Sequence, residues 1–148
     1  MVCLGNICRS PLAHGILEAK IAALGLDWTV DSAGTSGWHA GGPPDGRSVQ
    51  VAKKYGLDIK GQRSRQFRHY DFEAFDAIYV MDRSNLANVL ALAANDEERA
   101  KVYMILNEIY PGQNREVPDP YYDDNGFEEV YAMLDKACDA VVSRWKVG

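Results

Sequence analysis

The sequence predicts a three-layer α/β fold in which a central four-stranded parallel sheet is flanked by helices. Three observations predict it. Short β-branched or aromatic runs, "WTVDS", "DAIYVMD" and "KVYMIL", alternate with stretches of helical periodicity. The N-terminal segment passes through a short loop straight into an amphipathic helix, as a strand-loop-helix unit does. Two loops of unusual composition, "SAGTSGWHAGGPPDG" and "YPGQNREVPDPYYDDNG", follow strand-like runs, and open α/β sheets carry their sites at strand carboxyl ends.

The elements follow in order. Only Met1 and Val2 precede Cys3, too few for the buried strand that should feed the first loop, so the first strand reads as truncated. Either upstream residues complete it, or the domain tolerates a very short central strand. Residues 11 to 24 place Leu12, Ile16, Leu17, Ile21 and Leu24 near one helical face, with Gly25 as a stop. "WTVDS" is read as the second strand, Pro44 to Tyr55 as a helix, "DAIYVMD" as the third strand and Arg83 to Ala93 as a further helix. "KVYMIL" is the last strand. Phe127, Val130, Tyr131, Leu134, Cys138, Val141 and Trp145 then recur at helical spacing and predict a long C-terminal helix.

Composition bounds the class of protein. A chain of 148 residues with 47% hydrophobic and 25% charged residues is expected to form a single domain over 1–148. No apolar run approaches a membrane span and no leader pattern opens the chain, so a cytoplasmic, membrane-free protein is expected. Three cysteines make no disulfide framework there, and free thiols are the default. Net charge is −5 and the basic residues are scattered, apart from "GQRSRQFRH", which argues against a nucleic-acid partner. Any anion site must be local.

"CLGNICRS" is the candidate for one. If Cys3 to Ser10 wraps from a strand end to a helix N-terminus, with Pro11 at the first helical position, its backbone N–H groups point inward. Such a nest, with the helix dipole behind it, stabilises a dianion and favours an ionised sulfur at its centre. Gly5 suits a tight turn, and Asn6 belongs to the few residue types that tolerate positive φ. Arg9 adds a planar fork able to give two parallel charge-assisted bonds to phosphate oxygens.

"VCLGNICRSPLA", taken with "DPYY" near the C-terminus, resembles the low-molecular-weight protein tyrosine phosphatases over essentially the whole chain. CxxxxxR alone is shared with other phosphatases and with sulfurtransferases; the full string with a later DP pair is far more specific. The resemblance implies Cys3 as nucleophile, Arg9 as phosphate clamp and Asp119 as general acid, then base. It implies a phosphate-binding loop of Leu4, Gly5, Asn6, Ile7, Cys8 and Ser10, and a slot walled by Trp38, Tyr121 and Tyr122. Phosphotyrosine proteins or small aryl phosphates would be substrates and inorganic phosphate the product, with no metal or other cofactor. Relatives that hydrolyse phosphoarginine carry Thr at the position of Ile7, so Ile7 favours phosphotyrosine. Ser10 is expected to hydrogen-bond the sulfur, and Asn6 and Ser32 to brace the loop. Many relatives have histidine where this chain has Gln62, so any bracing bond there must come from an amide.

Other residues admit plainer roles. Cys8 is either a reversible oxidative cap for Cys3 or an inert loop residue. Asp119 before proline also suits a turn. Asp82 either supports the loop or caps the helix that follows. Cys138 is read as core, "NDEER" as a solvated face, and His14, His39 and His69 as surface or network residues. Two rival functions share the motif. A thioredoxin-coupled arsenate reductase needs two further cysteines around the third strand, and none lies between Tyr70 and Asp96. A silent phosphate-binding module would not need Cys3, Arg9 and Asp119 all intact.

Overall fold

In the computed structural model, which describes residues 1–146, four parallel strands form one sheet in the order β2-β1-β3-β4. The strands are β1 (Val2–Cys3), β2 (Ala33–Gly34), β3 (Ile78–Val80) and β4 (Val102–Met104). Register is set by Val2 opposite both Ala33 and Val80, and by Tyr79 opposite Tyr103. The central β1 pairs on both sides.

Helix α1 (Arg9–Leu24) packs against α6 (Gly126–Trp145) on one face, with α2 (Gly46–Lys54) beside them. Leu12, Ile16, Val130, Leu134 and Cys138 are buried between these helices and the sheet, because their spacing puts them on facing stripes. Cys138 is core, as its periodicity predicts. The other face holds α3 (Asp71–Ala74), α4 (Arg83–Leu90) and α5 (Asp96–Arg99), over a smaller core of Val2, Ala33, Phe67, Phe72, Ile78, Val80, Val89 and Met104. Strand residues alternate between the two cores: Val80 joins the second, Tyr79 the first. The layers are helix, sheet, helix.

Several boundaries differ from the sequence reading. Helix α1 begins at Arg9, which moves Pro11 from the first to the third helical position; its missing N–H is still among the four that no helix satisfies. "WTVDS" carries no strand. The ladder lies later, at Ala33–Gly34, where Ala33 N–H donates to Met1 O at 3.0 Å and Thr35 N–H to Cys3 O at 2.9 Å. Trp28 and Val30 pack against the first core from irregular chain instead. Helix α2 starts only after Asp45, whose carboxylate accepts from Arg47 N–H as an N-cap, so Pro43 and Pro44 stay outside. "KVYMIL" is half strand, and Ile105–Glu108 winds into a 3₁₀ turn. "NDEER" forms the exposed turn of α5, held by Asn95 capping Glu98 N–H at 2.8 Å. Among the described residues no helix is long and apolar enough to cross a membrane.

Candidate active site

Leu4 to Cys8 links the carboxyl end of β1 to α1 and is turned so that its carbonyls face outward. Thr35 N–H donates to Cys3 O, Ser36 N–H to Leu4 O and Asp45 N–H to Ile7 O, each at 2.8 to 2.9 Å. Ser64 Oγ donates to Gly5 O at 3.0 Å and Ser48 Oγ to Cys8 O at 3.2 Å. With five carbonyls engaged from outside, the peptide dipoles of the loop present their N–H ends to its centre. Asn6 makes the turn possible at φ 55°, and its side chain spans the loop, donating to Ser10 Oγ at 2.7 Å and accepting from Arg65 N–H at 3.1 Å. Gly34 allows the loop to lie against β2. A Cβ there would stand 2.7 Å from Leu4 O.

Cys3 Sγ is buried 3.0 Å from Ser10 Oγ. Because Asn6 already donates to that hydroxyl, its own hydrogen is free for the sulfur, the nearer acceptor than Ala33 O at 3.5 Å. Cys8 precedes α1 at the N-cap position and supplies no side-chain cap. The first helical residue is a buried cation: Arg9, 3% exposed, sits at the end of the dipole that disfavours positive charge. Asp82 offsets this. Arg9 Nη1 donates to Asp82 Oδ2 at 2.7 Å and to Val117 O at 2.9 Å, while Nη2 stands 3.7 Å from Asp119 Oδ2. The other oxygen of Asp82 caps α4 through Asn85 N–H at 2.8 Å, so both roles read for Asp82 hold at once.

Asp119 is brought here because Val117 N–H donates to Met81 O at 2.8 Å, pinning the long loop to the end of β3. Asp119 Oδ1 accepts from Tyr121 N–H at 3.0 Å. Cys3, Leu4, Gly5, Ile7, Cys8, Arg9, Trp38, His39, Asp119, Tyr121 and Tyr122 thus line one cleft of about 220 Å³. Asn6 and Ser10 lie behind it, in the layer that holds Cys3. Trp38 is 79% and Tyr122 95% exposed at the rim, with Tyr121 and Tyr122 in an edge-to-face pair at 5.0 Å. A larger hollow of about 450 Å³ between residues 28–33 and 74–79 holds none of the loop from Cys3 to Arg9.

The family model for low molecular weight phosphotyrosine protein phosphatases matches residues 1–146. The chain belongs to that family. A candidate low molecular weight protein-tyrosine-phosphatase of Synechocystis sp. is 47% identical over 140 residues, covering 93% of this chain and 88% of the relative. A protein tyrosine phosphatase structure from Entamoeba histolytica, with Hepes in its active site, superposes with a TM-score of 0.91 at 34% identity, covering 98% of this chain and 94% of that one. A Drosophila arginine phosphatase structure gives 0.90 at 32% identity, covering 99% and 96%. Membership makes the chain a phosphomonoester hydrolase of the protein-tyrosine-phosphatase class.

The bracing of this phosphatase differs in detail from the sequence expectation. Gln62 joins neither Asn6 nor Ser32; its Nε2 donates to Pro11 O at 3.1 Å, and its Oε1 is buried without a partner. Ser32 pairs instead with His14, whose Nδ1 lies 3.0 Å from Ser32 Oγ and whose Nε2 lies 3.3 Å from Glu18. Burial pushes the His14 imidazole below its ordinary pKa, against the pull of Glu18. Gly5 is not at positive φ: the absent side chain makes room for the His39 ring, 3.1 Å from where a Cβ would lie. His39 therefore belongs to the cleft wall, and only its place in a Gly- and Pro-rich loop hinted at that. His69 pairs with Glu98 on the surface. Arg47, absent from the sequence reading, ties α2 to the loop that carries Asp119.

Proposed function

We propose that this phosphatase hydrolyses phosphotyrosine through a cysteinyl-phosphate intermediate. The single observation that supports it most is the convergence of Cys3, Arg9 and Asp119, from opposite ends of the chain, on one small aromatic-walled cleft. The ionised Cys3 sulfur attacks phosphorus, and the bond from phosphorus to the tyrosyl oxygen breaks. Arg9 Nη2 and the inward amides hold the equatorial oxygens, where charge is already in place to be matched by fixed dipoles. Asp119 gives its proton to the departing phenolate. As carboxylate it then takes a proton from water, whose oxygen attacks phosphorus while the P–S bond breaks; inorganic phosphate leaves and the thiolate returns. Ser10 Oγ stabilises that sulfur both times. The whole chain serves this activity as one domain, and a free thiolate nucleophile suits the reducing cytoplasm.

The rim sets the substrate. A phosphate must travel the depth of a slot walled by Trp38, Tyr121 and Tyr122 before it reaches Arg9, which a tyrosyl ring spans and a seryl carbon does not. On a panel of phosphopeptides differing only in the modified residue, kcat/KM should be highest for phosphotyrosine and at least ~10-fold lower for phosphoserine and phosphoarginine. A preference for phosphoarginine would reverse the role given to Ile7.

Cys8 supports a second expectation. Both sulfurs are buried in the same loop, and burial, with the Asp45 carboxylate nearby, pushes the Cys8 thiol up to about 12. Cys8 therefore stays a protonated thiol while peroxide converts the Cys3 thiolate to a sulfenic acid. Attack by Cys8 sulfur expels water and leaves a disulfide, which dithiothreitol reduces. Peroxide-treated wild type should regain activity with that reductant, whereas Cys8→Ser, whose Cys3 sulfenic acid is left to be oxidised by further peroxide to the sulfinic acid, should regain less after the same exposure. Equal recovery by both would make Cys8 an inert loop residue.

A further inference from the structure

We propose that Arg47 is a positioning residue for the general acid: it fixes the loop carrying Asp119 relative to the phosphate-binding loop, by ion pairing with Asp124 and stacking on Tyr121. This rests on the assignment of Asp119 as the acid.

The start of α2 is anchored to the phosphate-binding loop. Asp45 N–H donates to Ile7 O at 2.8 Å, and Ser48 Oγ donates to Cys8 O at 3.2 Å. Arg47 lies between these two anchors. Its Nε and Nη2 donate to both oxygens of Asp45 at 3.0 and 2.9 Å, which holds the guanidinium in one orientation. Those bonds keep the Asp45 carboxyl below the usual carboxylate range, so the pairing persists through the neutral region. The remaining nitrogen, Nη1, crosses to Asp124 Oδ1 at 2.6 Å. The guanidinium carbon stands 5.5 Å from the Tyr121 ring centre and 4.6 Å from that of Phe127, the second residue of α6.

On the other side of the cleft, residues 118–125 are exposed apart from the buried Pro120. Their hydrogen bonds are mostly internal: Tyr121 N–H to Asp119, Asp123 N–H to Pro120 O and Asn125 N–H to Asp123. Among the described residues, their polar side-chain ties beyond the loop run to Arg9 and Arg47. Asp119 Oδ1 accepts from the Tyr121 backbone N–H, so a contact that restrains Tyr121 also restrains the donor that orients the Asp119 carboxyl. Arg47 thereby sets the gap between the sulfur and the acid. Asp124 is 82% exposed, and an exposed pair of this kind adds little to stability. Placement matters more, because a displacement of about 1 Å in a reacting group costs on the order of 100-fold in rate.

The consequence is specific to the leaving group. Phenyl phosphate releases a phenolate that needs a proton, as tyrosine does with its pKa of about 10. 2,4-Dinitrophenyl phosphate releases one that does not. Asp119→Asn gives the reference pattern: kcat/KM for phenyl phosphate falls by roughly 100-fold or more, with the dinitrophenyl ester far less affected. Arg47→Ala should reproduce that split, losing about 10- to 100-fold on phenyl phosphate. Its kcat/KM for the dinitrophenyl ester and its inhibition constant for inorganic phosphate should stay unchanged. Asp124→Ala, at a position too exposed to threaten folding, should show a smaller loss in the same direction. Equal losses on both esters, weakened phosphate inhibition, or no loss at all in Arg47→Ala would overturn the proposal. Absence of the split in Asp119→Asn itself would overturn the acid assignment, and the role of Arg47 with it.

Discussion

Replacing Cys3 with serine abolishes hydrolysis of p-nitrophenyl phosphate while leaving the fold and the binding of phosphate in place: that is the expected result. The substitution changes one atom in a buried position whose polar neighbour Ser10 Oγ, at 3.0 Å, can bond a hydroxyl as well as a thiol. The five outward carbonyl bonds of the loop do not involve that atom, so the inward amides keep their direction. Lost is the anionic sulfur, because a serine hydroxyl, far less acidic than a thiol, stays neutral at neutral pH. Inorganic phosphate should then still stabilise the variant. At a concentration of 100 Kd that linkage is worth about 2.7 kcal/mol, a shift readily read as a rise in Tm. Turnover within tenfold of wild type would leave the thiolate without a role. Wild type that binds phosphate yet turns over nothing would instead make the chain a silent phosphate-binding module.

What could be read in advance, and what could not, divides along physical lines. The loop was legible because its chemistry is contiguous: a nest needs consecutive amides, and Cys3, Asn6 and Arg9 stand at fixed offsets along seven residues. The long helices were legible for the same reason, their apolar stripes being local. The second strand was not. "WTVDS" has the stronger β pattern, yet Ala33–Gly34 forms the ladder, because the approach of the phosphate-binding loop requires a residue without Cβ at Gly34. Tertiary contact overrode propensity there. Ties between distant segments were equally hidden. Nothing local marks Asp82 as the partner of Arg9, or Arg47 as the partner of Asp124. Gln62 was legible only in kind: its amide does donate, as required, but the acceptor is Pro11 O, and it is His14, on the next turn of α1, that pairs with Ser32.

Arg9→Lys should lose on the order of 10³ to 10⁵ in kcat/KM, the range spanned by arginines that stabilise charge in phosphoryl transfer. The magnitude follows from the two tasks the guanidinium performs at once. One nitrogen, Nη1, is committed to Asp82 and Val117 O and so joins the phosphate-binding loop to the end of β3 and to the middle of the long loop. A second, Nη2, faces the cleft, 3.7 Å from Asp119 Oδ2. A lysine has one nitrogen, and it can stay with Asp82 or turn towards the phosphate but not both. The Asp82 carboxylate, only 19% exposed, decides between them, since leaving a largely buried charge without its partner is costly. Lysine therefore keeps the fold and forfeits the clamp: its Tm should stay near wild type while phosphate no longer raises it. Arg9→Ala forfeits both and should also be destabilised in urea unfolding, by less than the about 3 to 5 kcal/mol expected of a fully buried pair, because Asp82 keeps some contact with water. If Arg9→Lys instead retained turnover within tenfold of wild type, a point charge would suffice at this position. The planar fork would then be a structural tie and not the group that holds the transferring phosphoryl oxygens.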